Sequence, residues 1–263
     1  MREFNVDIKS RDGLIDTFVC HPDEDGPHPA VIFYMDAPAI REELRDMARR
    51  LATVGYYVML PNMYYRVARP ENYGFDPARM SVDDNERKKM FTIMRTLTNQ
   101  LVIDDTAPLI AYARADKAAK AGPMGCVGYC MSGRFVMSAA AAYPQDLAAI
   151  ASYYGVGIIT KEADSPHLKA KNIRGEVYLA FAEHDAYVPQ AELDQMPGML
   201  REAGVRGRVE VYPGTDHGFA FPQRAMYVKA AAERHWQRLF AYPQDYLLQE
   251  LQKQQLHYRL QLN

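Results

Sequence analysis

Apolar and polar positions alternate with a period of two over Phe4–Ile8 and again over Leu14–Val19, with Asp12-Gly13 between them. That alternation suits strands with one solvated face, and Asp-Gly suits a tight turn, so the stretch predicts a β-hairpin. Ala30–Met35 is an unbroken apolar run, as expected of a strand covered on both faces. From Ile40 to Val54 the period becomes helical, and Gly55 supplies a stop. Tyr56–Leu60 is a second covered strand, ended by Pro61. The same signatures then recur. Asn85–Thr98, Asp104–Lys120, Met131–Tyr143, Pro189–Ala203 and Arg224–Phe240 predict helices. Met124–Tyr129, Ala148–Tyr154, Glu176–Ala182 and Arg208–Tyr212 predict strands. Alternating strand and helix implies an α/β fold: a mainly parallel sheet with helices on both faces. Arg66 to Asp84 is irregular and rich in Pro, Gly, Asn and Tyr, which suits a cap over a site or a plain surface connection.

No repeat or low-complexity linker interrupts residues 1–245, which read as one α/β domain. Residues 246–263 form an amphipathic, Gln-rich tail suited to packing on that domain or on a second subunit, as in a homodimer. Composition adds exclusions. The net charge is -2 and the basic residues are scattered, so no field gathers nucleic acid or an anionic membrane. No stretch approaches the ~18 apolar residues that span a bilayer, and MREFNVDIKS lacks the apolar run of a signal peptide. Three cysteines, Cys20, Cys126 and Cys130, are too few and odd in number for a disulfide framework. A reducing cytoplasm is the expected location.

The stretch from Gly125 to Gly133, GCVGYCMSG, carries the chemistry. A buried strand runs through small residues into a cysteine and then into a helix, which is the nucleophile-elbow pattern with sulfur in place of oxygen. The turn is tight, so the residues two before and two after must be small, and Gly128 and Ser132 are. It places Cys130 at a helix N-terminus, where the dipole favours a thiolate. The N–H of Met131 would face a developing oxyanion. The bland alternative is a small buried hydrophobe, and that reading fits Cys126. Ser132 is a weaker nucleophile candidate, because no sharp bend presents it.

A thiol nucleophile needs a base, and the base an orienting carboxylate, each on the loop after a later strand. The loop after Glu176–Ala182 supplies Asp185, and the loop after Arg208–Tyr212 supplies His217 between Gly214 and Gly218. His184 is the nearest competitor but precedes the acid; Glu183 is a reserve acid. His21 and His28 precede the turn, and His167, His235 and His257 suit surface or packing roles.

These residues resemble the dienelactone hydrolase (carboxymethylenebutenolidase) family. The motifs that carry the resemblance are VGYCMSG at 127–133, LPNMYYR at 60–66, EHDAYVP at 183–189 and DHGF at 216–219. With the helices between them they cover roughly residues 5 to 240. The resemblance implies an α/β-hydrolase fold with an eight-stranded core. It implies a triad of Cys130, Asp185 and His217 that hydrolyses small esters or lactones without a cofactor or metal. It implies that Asp36 holds and activates the thiol, that Ala37 gives the second oxyanion N–H, and that Arg66 grips a substrate carboxylate. Asp36 stands where the family usually has glutamate, Ser132 where it has glycine, and Phe221 where a second arginine is expected. Tyr64, Tyr65, Phe219 and Phe221 are candidate pocket residues. Plainer roles are a helix N-cap for Asp36, a surface salt bridge for Arg66 and simple packing for the aromatics.

Two other functions compete. The same thiolate suits an aryl esterase or a phosphotriesterase. A redox or binding protein using Cys126 and Cys130 as a thiol pair lacks a compact C-x-x-C. No spacing of His, Cys and acidic residues suggests a metal site.

Overall fold

The structure, a computed structural model, describes residues 1–24, 26–80 and 82–241. The tail expected at 246–263 lies outside the described residues. Eight strands form one sheet: β1 (Arg2–Lys9), β2 (Leu14–His21), β3 (Ala30–Tyr34), β4 (Tyr57–Pro61), β5 (Met124–Tyr129), β6 (Leu147–Tyr153), β7 (Glu176–His184) and β8 (Gly207–Asp216). Their order across the sheet is β1-β2-β4-β3-β5-β6-β7-β8. β1 and β2 form the expected hairpin, Lys9 opposite Leu14, and β2 is antiparallel to β4. From β4 onward every neighbouring pair is parallel. This is the α/β architecture that the alternating pattern implies.

β3, β4 and β6 are buried at every residue, so helices cover both faces. α1 (Glu42–Thr53) buries Leu44, Met47, Ala48 and Leu51, the stripe its periodicity shows, and Gly55 follows at φ 102°. α2 (Asp84–Met94) and α3 (Asn99–Ala115) follow. They differ in boundary from the expected helices because Thr98 caps α3 through a bond from the Leu101 N–H, which ends the preceding segment early. α4 (Gly133–Ala142) begins after a 3₁₀ turn at Cys130–Ser132. The single helix expected over Pro189–Ala203 is two pieces, α5 (Gln190–Leu193) and α6 (Met196–Glu202), because Pro197 starts a new helix rather than continuing the old one. A last helix, α7, begins at residue 229, and turns occupy the stretch after Phe221.

In parallel strands the C-terminal ends share one edge of the sheet. Asp36 and Ala37 follow β3, Cys130 follows β5, Asp185 follows β7 and His217 follows β8. Residues spread over 181 positions of sequence are thereby gathered at one edge. Among the described residues no helix is long and apolar enough to cross a membrane.

Candidate active site

Cys130 has φ 55°, a left-handed conformation rare for a residue with a side chain. It persists because its surroundings are interlocked. A Cβ on Gly128 would stand 2.5 Å from the Ser132 carbonyl oxygen and 2.9 Å from Val136. A Cβ on Gly133 would stand 2.2 Å from the Gly155 Cα. The Val156 N–H donates to the Cys130 carbonyl at 2.9 Å, tying the turn to the loop after β6. Ser132 is fully buried and its hydroxyl donates to the Met35 carbonyl, so it takes a structural role rather than a nucleophilic one. Cys130 is part-exposed, whereas Cys20 and Cys126 are buried. Burial pushes the Cys20 thiol up to about 12 and Cys126 higher still, so neither supplies a thiolate near neutral pH.

His217 meets Asp185 through Nδ1, at 2.8 Å from Oδ2 and 3.0 Å from Oδ1. The Tyr187 N–H donates to Asp185 Oδ1 at 2.9 Å, which fixes the carboxylate. His217 Nε2 is buried and makes no well-formed hydrogen bond to a described residue. Burial disfavours the charged ring, but interactions with the Cys130 sulfur and the Asp185 carboxylate outweigh it and raise the imidazole pKa to about 10. Tyr154 and Tyr187 meet the ring edge-on at 5.0 and 4.8 Å.

The other expected residues divide. The Asp36 carboxylate faces guanidinium groups, not the sulfur. Arg41 binds it at 2.6 and 3.2 Å and Arg224 at 3.1 Å, and Glu43 holds the far side of Arg41 at 2.7 Å. A carboxylate that is 1% exposed needs such countercharge, which corrects the thiol-activating role expected for it. Phe221 is the aromatic base under that cluster, with Arg41 and Arg224 centred 5.1 and 5.3 Å from its ring. Phe219 is fully buried and stacks on Tyr212, so it packs the histidine loop.

Tyr64 lies at the site. Its hydroxyl is 3.1 Å from the Ala37 carbonyl and 3.3 Å from the Met131 sulfur, so it braces the two residues expected to flank the oxyanion. Tyr65 and Arg66 turn elsewhere. Tyr65 bonds Ser10 and Asp105, and Arg66 holds Asp105 through both terminal nitrogens at 2.7 Å and Asp12 at 2.8 Å. Asp105 is 1% exposed, so a bound guanidinium is its electrostatic requirement. The role expected for Arg66 as a substrate grip is corrected to a brace between the hairpin turn and α3.

Cys130, His217 and Asp185 thus stand together at the C-terminal edge of the sheet, and the comparisons with known proteins bear on the family and the fold. The model of the dienelactone hydrolase family matches residues 15–247. The chain belongs to the dienelactone hydrolase family. A Synechocystis sp. protein named "Putative carboxymethylenebutenolidase" is 29% identical over 237 residues, covering 89% of this chain and 93% of the relative. The crystal structure of a "Putative Dienelactone Hydrolase" from Klebsiella pneumoniae superposes with a TM-score of 0.78 at 27% identity, over 92% of this chain and 97% of that one. A dienelactone hydrolase-like promiscuous phosphotriesterase from metagenomic libraries shares the fold, with a TM-score of 0.71 at 17% identity over 91% and 96% of the two chains.

Several residues of this dienelactone hydrolase family member take parts that its sequence does not disclose. Arg41 and Arg224 sit 5 and 188 positions from Asp36, and only folding joins them. Glu183 accepts the Gly214 N–H at 2.7 Å and shapes the histidine loop instead of acting as a reserve acid. His235 is fully buried and holds the Tyr129 hydroxyl at 2.6 Å, directly before the nucleophile turn. Tyr154 has φ 40° and a buried hydroxyl without a partner among the described residues. Its signal was visible: a Tyr-Gly pair ending a strand beside a turn that needs close backbone approach. Among the described residues no three His, Cys, Asp or Glu side chains gather as metal ligands.

Proposed function

We propose that this family member hydrolyses small carboxylic esters or lactones through an acyl-thioenzyme on Cys130. The observation that carries the reading is a single arrangement: a part-exposed cysteine at φ 55° beside an imidazole that is raised to about 10 and oriented by a carboxylate. The Cys130 sulfur adds to the carbonyl carbon and the carbonyl electrons move onto oxygen. That oxygen is received by the N–H groups of Met131 and Ala37. Met131 lies in a first helical turn, whose N–H groups are free by construction, and the Ala37 N–H has no partner among the described residues. One such donor is worth roughly 3 kcal/mol to the transition state.

When the tetrahedral species collapses, the C–O bond breaks and the leaving alkoxide takes the proton from His217 Nε2. Nε2 lacks a well-formed bond among the described residues, so it is available to a reacting atom. A water then gives its proton to His217 and adds to the thioester, and the acid leaves as the thiolate re-forms. Every residue in this cycle belongs to the chain. In this reading Asp36 acts indirectly: with Arg41 and Arg224 it sets the loop that presents Ala37.

A short burst of a 4-nitrophenyl ester followed by acid quench and peptide mass mapping tests this. The acyl group is expected on the peptide containing Cys130. Turnover without acyl-Cys130, surviving in Cys130→Ala, would sink the mechanism. A second reading, thiolate attack on a phosphotriester, is favoured by the promiscuous phosphotriesterase that shares the fold. Rates on an aryl ester and an aryl phosphotriester, measured side by side, separate the two.

A further inference from the structure

With Arg66 braced between Asp12 and Asp105, the site lacks the cation expected to hold a substrate. The arginines near it differ in their partners. Arg66 has Asp12 and Asp105, Arg41 has Asp36 and Glu43, and Arg224 has Asp36. Arg134 has no carboxylate at ion-pair distance among the described residues. Its Nε is buried without a hydrogen bond. One terminal nitrogen reaches the Leu97 carbonyl at 3.4 Å, the limit of a useful contact. The guanidinium lies 4.7 Å from the centre of the Phe135 ring. Asp164 acts on it only from a distance, because that carboxylate is occupied by Asn99 at 3.2 Å. A partly buried guanidinium without a contacting anion is an unfavourable state that a bound anion would relieve.

Its position supplies the second half of the case. Arg134 is the second residue of α4, one helical turn past Cys130. Residues at that spacing share a helix face, and a helical side chain leans over the turn that precedes it. For Arg134 that turn is the nucleophile turn itself. The guanidinium is also within electrostatic range of Cys130 and Tyr64.

We infer that Arg134 anchors the substrate by gripping an anionic oxygen group, a carboxylate above all, carried on the acyl part of the ester or lactone held at Cys130. The planar fork of N–H donors matches a carboxylate in two bonds. The inference rests on the acyl-transfer reading of Cys130 and adds to it which substrates are preferred and which residue selects them.

Two measurements on the full chain test it, using Arg134→Met, which keeps the stem, and Arg134→Lys, which keeps the charge. The first compares alkylation of Cys130 by iodoacetate and by the neutral iodoacetamide, followed by peptide mass mapping. The iodoacetate-to-iodoacetamide rate ratio is expected to fall about tenfold in Arg134→Met, the loss of one charge-assisted hydrogen bond, and to be largely kept in Arg134→Lys. An unchanged ratio in Arg134→Met overturns the inference. The second compares kcat/KM for mono-4-nitrophenyl glutarate with that for 4-nitrophenyl butyrate. Selectivity for the anionic ester is expected to drop by a similar factor, mainly through KM. Equal losses on both esters would assign Arg134 a structural role and end the proposal. If the wild-type chain hydrolyses neither ester, the acyl-transfer reading falls, and the alkylation ratio still decides whether an anion is drawn to Cys130 by Arg134.

Discussion

Asp36 and Arg224, 188 positions apart in sequence, meet at 3.1 Å, and with Arg41 they close a buried charge cluster at the edge of the candidate site.

Asp36→Asn removes the carboxylate that Arg41 and Arg224 share. The expected loss is about 3 kcal/mol, the low end for breaking a buried pair, since Glu43 still holds Arg41. A urea titration checks this: the midpoint falls while the slope stays constant. A midpoint equal to that of the wild type would mean the cluster contributes no net stability.

The pH dependence follows from His217. Burial works against its charge, yet the sulfur and Asp185 raise its pKa to about 10. The protonated ring, needed to protonate the leaving group, persists through neutral pH and is lost as pH rises through that value. An unfolded histidine titrates near ~6.5, so the same group stabilises the fold below that pH and this contribution disappears between there and about 10. Asp185→Asn lowers the ring's pKa, moves the alkaline limb of kcat/KM toward neutrality, and reduces the rate by roughly 10²–10⁴-fold. An alkaline limb that stays in place would separate Asp185 from the imidazole's titration.

Gly128→Ala tests the turn. The added methyl would lie 2.5 Å from the Ser132 carbonyl and 2.9 Å from Val136, so backbone must move. A loss of about 1–3 kcal/mol is expected, with lower melting temperature and slower labelling of Cys130 by iodoacetamide. Wild-type melting and labelling in this variant would show that the turn is looser than its contacts imply.

Arg66→Ala leaves Asp105 buried without its guanidinium. Stability should drop by a few kcal/mol, while the preference between anionic and neutral esters should hold. A selective loss on anionic esters would return Arg66 to the substrate.

Much of this architecture was legible in the chain. Local patterns sufficed for the hairpin, for the fully covered strands β3 and β4, and for the small residues around Cys130, because each answers to a constraint within a few positions. The order of Cys130, Asp185 and His217 was equally readable, since parallel strands deliver their following loops to one edge. The charge cluster was not. Arg41, Glu43, Arg224 and Asp36 carry no common spacing, and nothing local distinguishes Arg66, satisfied by Asp105, from an arginine awaiting a ligand. Arg134 stands in plain view one turn after Cys130, but that it has no carboxylate at ion-pair distance among the described residues emerges only when the other partners are known. The break at Pro197 was visible as a residue and outweighed by the apolar period around it.

The contact between Gly133 and Gly155 has a historical consequence. Two backbones touch there with no room for a methyl group, and the loop after β6 is stitched to the Cys130 carbonyl. A descendant that acquires a new substrate has little freedom to relocate the sulfur. Substitutions that reshape the site are accommodated more readily at the side chains around Cys130 than in the backbone that holds it.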